Sequence, residues 1–328
     1  MKSHSSPLPV RVLRGLFQKA GLSRDRIYRN VPMDSVIPPA QANDLIAELI
    51  REGNPRMISR FGTSESLALL NHLDIAMCNS PSTLERFLAI LQSREDRWNE
   101  KVKSLLYNNV GVFPTTDEFL GRFAPFYMDQ IGSVDMIGVW KMVPGESYLI
   151  RRFCPHATRF TPSALQPYFF ANPWSGALEG KKVLVIHPFA DSIEAQYRRR
   201  TLLFQNPSVL PEFDLKIIRA VQSLAGNKTP FKDWFEALTW MQDQVKAADF
   251  DVAIIGAGSY GLPLSAYVKS LGRISIHIGG GLQILFGIRG KRWDDMPEVA
   301  SLYNEYWVRP AESERIPSPE KVEEGCYW

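Results

Sequence analysis

Short apolar runs and longer helix-spaced stripes alternate along this chain. Val183–Ile186, Val252–Ile255 and Ile274–Ile278 are runs of the length and composition expected of strands covered on both faces. Met57–Phe61, Asp135–Trp140 and Leu215–Ile218 read as further strands. Helical spacing appears in Leu45, Ile46, Leu49 and Ile50 before the breaker Gly53-Asn54-Pro55, and again in Leu67 and Leu70. Leu84, Phe87, Leu88, Leu91, Trp98, Val102 and Leu105 form one apolar stripe, with charged positions between Leu91 and Trp98 marking a bend or break. Asp191 and Glu194 fit a capping box that opens a helix running through Arg198-Arg199-Arg200. Thr229-Pro230 fits a helix start for a buried face of Phe231, Trp234, Phe235, Leu238, Met241 and Val245. Leu264, Tyr267, Val268 and Leu271 belong to a last helix, stopped by Gly272.

Strand–helix–strand alternation from 181 to 278 predicts an α/β fold with a mostly parallel, Rossmann-like sheet and helices on both faces. Residues 1–38, rich in Ser, Pro and Arg, read as an amino-terminal arm. A single domain is expected over 39–300, helical in its first part (39–175) and Rossmann-like in its second (176–300). Aromatic residues stud 301–328, so this tail is expected to pack on the domain. The proline-dotted stretch from Lys141 to Gly180 carries no clear pattern.

Composition narrows the function classes without choosing among them. The 328 residues are 45% hydrophobic and 22% charged, ordinary for a globular protein. A net charge of +3 does not argue for nucleic acid as a partner. Cys78, Cys154 and Cys326 are too far apart for a zinc site, and a reduced cytoplasmic setting is the expectation. No apolar run is long enough to span a membrane. Residues 10–19 form a basic amphipathic segment, either a helix packed on the domain or one resting peripherally on an anionic, inner membrane surface.

Chemistry-bearing residues cluster where strands end. After Val252–Ile255 comes Gly256-Ala257-Gly258-Ser259-Tyr260-Gly261, a turn able to bring backbone N–H groups to a phosphate. Its G-x-G-x-x-G spacing matches a dinucleotide fingerprint, but the following strand ends in His277-Ile278-Gly279-Gly280, without the acid that would hold a ribose. No NAD is therefore expected, and a nicotinamide or flavin oxidoreductase is kept as an alternative. His187 ends its own strand, where it could donate to a phosphate, act as acid or base, or simply hold the local backbone beside Pro188. Arg60-Phe61-Gly62-Thr63-Ser64-Glu65 places an acid in a first helical turn, to bind a metal, take a proton, or offset the helix dipole.

Arg60-Phe61-Gly62 with Glu65 resembles the R-F-G-D-G-E segment of the glycosyltransferases with the GT-D fold. The strand and glycine turn at 252–264, with Ile276–Gly279, resembles that family's second signature, which builds a nucleotide-sugar site. Val183–Phe189, Ala220–Ser223 and Gly325–Trp328 are similar to segments of uncharacterised bacterial proteins of polysaccharide biosynthesis. The resemblance covers residues 55–70 and 180–328. It implies transfer of a sugar from a nucleotide-diphosphate donor to a glycan or lipid-linked acceptor, assisted by Mn²⁺ or Mg²⁺. Of the family's aspartate–x–glutamate pair only Glu65 carries over, because Thr63 stands at the aspartate position. The implied donor site comprises Arg60, Gly62, Gly256, Gly258, Ser259, Tyr260, Gly261, Gly279 and Gly280. Glu65 is the implied metal ligand or acceptor base, and His187 and His277 the groups that stabilise charge on the leaving nucleotide. The missing carboxylate also leaves open a non-catalytic nucleotide- or sugar-phosphate-binding protein of the same pathway.

Overall fold

The computed structural model describes residues 8–328, so residues 1–7 of the arm lie outside the described residues. One sheet organises the chain. Its strands are β1 (Arg56–Arg60), β2 (Met136–Gly138), β3 (Thr158–Phe160), β4 (Lys182–His187), β5 (Asp214–Arg219), β6 (Val252–Ile255) and β7 (Ile274–His277). They lie in the order β3-β2-β1-β7-β6-β4-β5, and every pairing is parallel. The architecture is thus α/β, with a sheet wholly rather than mostly parallel.

Strand alternation sorts side chains onto two separate cores. Met57, Leu184, Ile186, Ala253 and Ile255 face one core with the helices Thr63–Cys78, Asp117–Ile131, Trp234–Ala247 and Gly261–Ser270. Ile58, Val183, Val185, Val252, Ile254, Ile274 and Ile276 face the other with the helix Pro39–Glu52, Ile193, and residues 282–288. Both faces of β4, β6 and β7 are covered, which is why β4 and β6 are almost unbroken apolar runs, while β7 alternates Ile274 and Ile276 with buried Ser275 and His277.

The stripe from Leu84 to Leu105 breaks between Leu91 and Trp98, as its charged positions indicate, into two helices, Thr83–Gln92 and Glu100–Val110, separated where Ser93 turns left-handed. Leu84 and Phe87, at the amino end of that stripe, are exposed. Other local expectations are corrected. The 230s helix starts at Trp234, because the Asp233 side chain rather than Thr229 accepts the capping bond, from the Glu236 N–H. Asp191 caps nothing: the helix is Ala190–Tyr197, and its first amides donate instead to the buried carboxylate of Glu314. That helix ends before Arg198-Arg199-Arg200. Strand β3, inside the proline-dotted region, shows no pattern because only three residues pair at a sheet edge.

Two long-range ties hold the ends of the chain. Asp74, fully buried, accepts from Tyr28 (2.9 Å) and Arg94 (2.8 Å) and pairs with Arg24, clipping residues 24–28 to the helix Thr63–Cys78. At the other end Trp307, Ile316, Val322 and Cys326 are buried, and Glu314 joins the tail to the start of the helix after β4.

Candidate functional site

The connections after neighbouring strands diverge at the carboxyl edge of the sheet. After β4 the chain passes to the core that contains Ile193, whereas after the adjacent β6 it passes to the core of Leu262 and Leu264. The pair β7 and β1 diverges likewise, toward Leu282 and toward Leu69. Divergence opens a crevice at strand carboxyl ends, the usual ligand position in open parallel sheets. A cleft of about 340 Å³ opens there. Residues following β1, β4, β5, β6 and β7 all contribute to its wall.

From β1 come Arg60, Gly62, Thr63, Ser64 and Glu65. Gly62 is the N-cap of a sixteen-residue helix and offers no side-chain cap, so the amino end of that helix opens on the cleft. Glu65 is buried and folds back so closely that a Cβ on Gly62 would overlap its carboxylate. Its Oε2 has no hydrogen-bond partner. Burial pushes the Glu65 pKa up, against the opposing pull of its own backbone N–H and of the Arg60 charge. Arg60 is half-buried; its guanidinium donates to the carbonyls of Phe61 (3.0 Å) and Ile278 (3.4 Å). None of the ion pairs among the described residues involves it.

The two histidines end β4 and β7, one on either side of β6, and both are neutral rings. His187 Nδ1 accepts the Phe189 N–H (3.0 Å), which leaves the proton on Nε2, and burial pushes its pKa down to about 3. His277 Nδ1 lies 3.0 Å from Ser59 Oγ, while its Nε2 has no partner. Burial, then the Arg60 charge, hold His277 well below the ordinary histidine range. A general-acid role for either ring is therefore disfavoured near neutral pH, and a neutral hydrogen-bond role remains.

Glycine serves close approach here. Gly279 is left-handed (φ +79°), and a Cβ on it would overlap the Arg60 guanidinium. Gly258 is also left-handed (φ +52°) and lines the cleft near the Val110 carbonyl. Gly256 admits the His187 ring, Gly261 the His277 ring, and Gly280 the Tyr327 ring, each at distances a side chain would forbid.

The structure does not bring Ser259 and Tyr260 to the cleft, in contrast to the sequence-based expectation. Ser259 Oγ accepts from Trp234 Nε1 (2.9 Å) and donates to the Val110 carbonyl (2.7 Å). Tyr260 stacks on Trp234, with centroids 5.1 Å apart and rings 8° from parallel, and its hydroxyl meets Ser223 Oγ at 3.1 Å. The turn after β6 rotates these two side chains into the core, where an indole N–H and a phenol need partners. Gly261 and Gly279 stand behind the wall, supporting His277 and Arg60.

Sequence reasoning missed much of the opposite wall. Asn109, Gln222, Gln283, Arg292, Glu323, Tyr327 and Trp328 all line the cleft. Arg292 pairs with Glu323 and lies over the Tyr327 ring, 5.0 Å from its centroid. Gln222 Nε2 and Gln283 Oε1 are buried without partners, like Glu65 Oε2 and His277 Nε2. The early signals for this wall were the aromatic density of the tail and the resemblance segments Ala220–Ser223 and Gly325–Trp328, which contain Gln222, Tyr327 and Trp328.

The donor set does not fit a protein-held divalent cation. No group of three or more His, Cys, Asp or Glu side chains among the described residues is placed to hold one. Glu65 and Glu323 are the two acids among the residues lining the cleft, and Glu323 is already paired with Arg292. Hard divalent cations need several oxygen ligands.

No family model matches this chain, and no curated protein matches it. Two solved structures are similar to it. One is described as a highly conserved domain of unknown function 1792 with a distinct glycosyltransferase fold. It is 13% identical, with 80% of this chain and 82% of that chain covered, at a TM-score of 0.34. The second, a selenomethionine-substituted structure of domain of unknown function 1792, is 14% identical over 78% and 80%, again at 0.34. The α/β assignment rests on the seven-stranded parallel sheet itself.

Proposed function

We propose that this chain binds a nucleotide-diphosphate sugar in the cleft and transfers the sugar to a hydroxyl of a glycan or lipid-linked acceptor in polysaccharide biosynthesis. One observation supports this above the rest. Four buried, unpartnered polar atoms, Glu65 Oε2, Gln222 Nε2, His277 Nε2 and Gln283 Oε1, belong to residues lining a single cleft that also holds two guanidinium groups. Buried polar atoms are normally satisfied, so such a concentration is what a ligand with both hydroxyl donors, for the Glu65 and Gln283 oxygens, and anionic acceptors, for Gln222 Nε2 and the guanidinium groups, would repay.

Arg60 and Arg292 bind the diphosphate, with Gly256, Gly258 and Gly280 allowing it close to the backbone. The neutral His187 and His277 rings hydrogen-bond it without adding charge. Glu65 takes the proton of the acceptor hydroxyl, whose oxygen then attacks the anomeric carbon. The bond from that carbon to the diphosphate oxygen breaks, and the nucleoside diphosphate leaves with the electron pair, stabilised by the guanidinium groups. A raised pKa suits Glu65 to this role, because a carboxylate of ordinary pKa is a weak base near neutrality.

The single unpaired acid also favours a second reading, a protein of the same pathway that binds nucleotide or sugar phosphates without turnover. A panel of nucleotide sugars, with and without Mn²⁺, separates the two. Transfer or donor hydrolysis supports the enzyme, and saturable binding without either supports the carrier. Absence of binding by any nucleotide or nucleotide sugar at millimolar concentration refutes both.

A further inference from the structure

A second surface, away from the residues that line the cleft, carries its own chemistry. Of the sixteen large apolar side chains exposed among the described residues, seven fall within 12–22 and 84–90. They are Val12 (59% exposed), Leu13, Leu16 (55%), Leu22, Leu84 (65%), Phe87 and Ile90 (48%). Two helices present most of them. Leu8–Lys19 packs beside Thr83–Gln92, and the Arg14 guanidinium donates to the Ile90 carbonyl (3.0 Å). On the first helix Val12, Leu13 and Leu16 share one side; on the second Leu84, Phe87 and Ile90 recur every third residue along one stripe.

Charge accompanies this apolar face. Residues 8–29 contain six basic residues and one acid, Asp25, whereas the whole chain nets only +3, so the remainder is slightly negative. Arg24, Arg26 and Arg29, with the single acid Asp25, line an open depression that Gln18 and Gln92 join at the carboxyl ends of both helices. Arg24 is held by Asp74, while Arg26 and Arg29 stand exposed.

We propose that this two-helix face docks on an anionic lipid bilayer. Its apolar stripe would enter the headgroup–acyl boundary while Arg26 and Arg29 meet lipid phosphates. Exposed Leu and Phe beside clustered Arg is the combination that interfacial helices use, apolar burial adding to attraction by anionic lipid. A soluble polar partner would leave the stripe in water, and an acidic protein would leave Leu84 and Phe87 uncovered.

Co-sedimentation of the full chain with vesicles tests this, comparing phosphatidylcholine alone with phosphatidylcholine carrying about a third phosphatidylglycerol. Binding is expected to the anionic vesicles and to weaken as salt rises. Phe87→Asp/Ile90→Asp and Arg26→Glu/Arg29→Glu are each expected to reduce it roughly tenfold or more. All four positions are exposed, so the variants should keep the wild-type melting temperature; a variant that does not is replaced by Leu84→Ser. Equal binding to both vesicle types, no binding, or binding untouched by both variants overturns the proposal. So does a dimer in solution that Phe87→Asp/Ile90→Asp dissociates, which would make the face a contact between copies.

Discussion

Acid should destabilise this fold through His187 in a calculable way. The folded ring stays neutral down to about pH 3 because it is buried, with its Nδ1 engaged by the Phe189 N–H. An unfolded chain takes up that proton near pH ~6.5. Between the two values the unfolded state binds the additional proton, so the stabilisation is complete above about 6.5 and drains away as pH falls toward 3. At about 1.36 kcal/mol per pH unit, His187 removes about 2 kcal/mol by pH 5 and about 5 kcal/mol by pH 3. His277 acts in the same direction, since burial and then Arg60 lower its pKa. Urea unfolding at pH 7, 6 and 5 measures the slope. The His187→Asn variant, which can still accept the Phe189 N–H, should lose about 2 kcal/mol of the pH 7-to-5 difference. Imidazole nitrogen shifts give an independent reading, with His187 neutral at pH 5. A folded His187 titrating near pH ~6.5, or a variant with an unchanged slope, would refute the reasoning.

Other perturbations bear on the cleft and the clip. Glu65→Gln should bind donor nucleotide at least as well as wild type but lower transfer by about 10²–10⁴-fold, read as kcat against Kd; unchanged kcat removes Glu65 as the base. Arg60→Ala should weaken nucleoside-diphosphate binding by about 1.5–3 kcal/mol in calorimetry, with Arg60→Lys between the two, because an unpaired guanidinium facing the cleft is the expected diphosphate partner. Gly280→Val should displace Tyr327 and reduce the same affinity with little change in melting temperature, since the added atoms meet a ring at the cleft wall rather than core backbone. Asp74→Ala should cost about 3–5 kcal/mol in urea unfolding, because it strips the partner from Arg94 inside the fold.

The buried strands were legible because the sheet is covered on both faces, which makes the interior of β4 and all of β6 apolar and leaves β7 only buried Ser275 and His277 beside its isoleucines. Once those strands are located, residues just past their ends must lie at the carboxyl edge. Arg60, Glu65, His187, Gly256, Gly258, His277 and Gly280 could therefore be named from the sequence, and all line the cleft. Edge strand β3 could not, since three paired residues leave no periodicity.

Orientation and long-range company belong to the tertiary structure. Ser259 and Tyr260 sit in the same glycine turn as Gly258, yet Trp234 draws them into the core, and no local pattern encodes that rotation. Asn109, Arg292, Tyr327 and Trp328 reach the cleft from segments far apart in sequence, brought there by packing and by ties such as Glu314. The stripe of Leu84, Phe87 and Ile90 has the spacing of a buried helix face, and only the placement of its neighbours leaves it in solvent. A sequence specifies which residues can be apolar or end a strand because those constraints act within a few positions. Which buried polar atoms lack partners, and which apolar faces lack cover, depends on the whole set of contacts and emerges only when the chain has closed on itself.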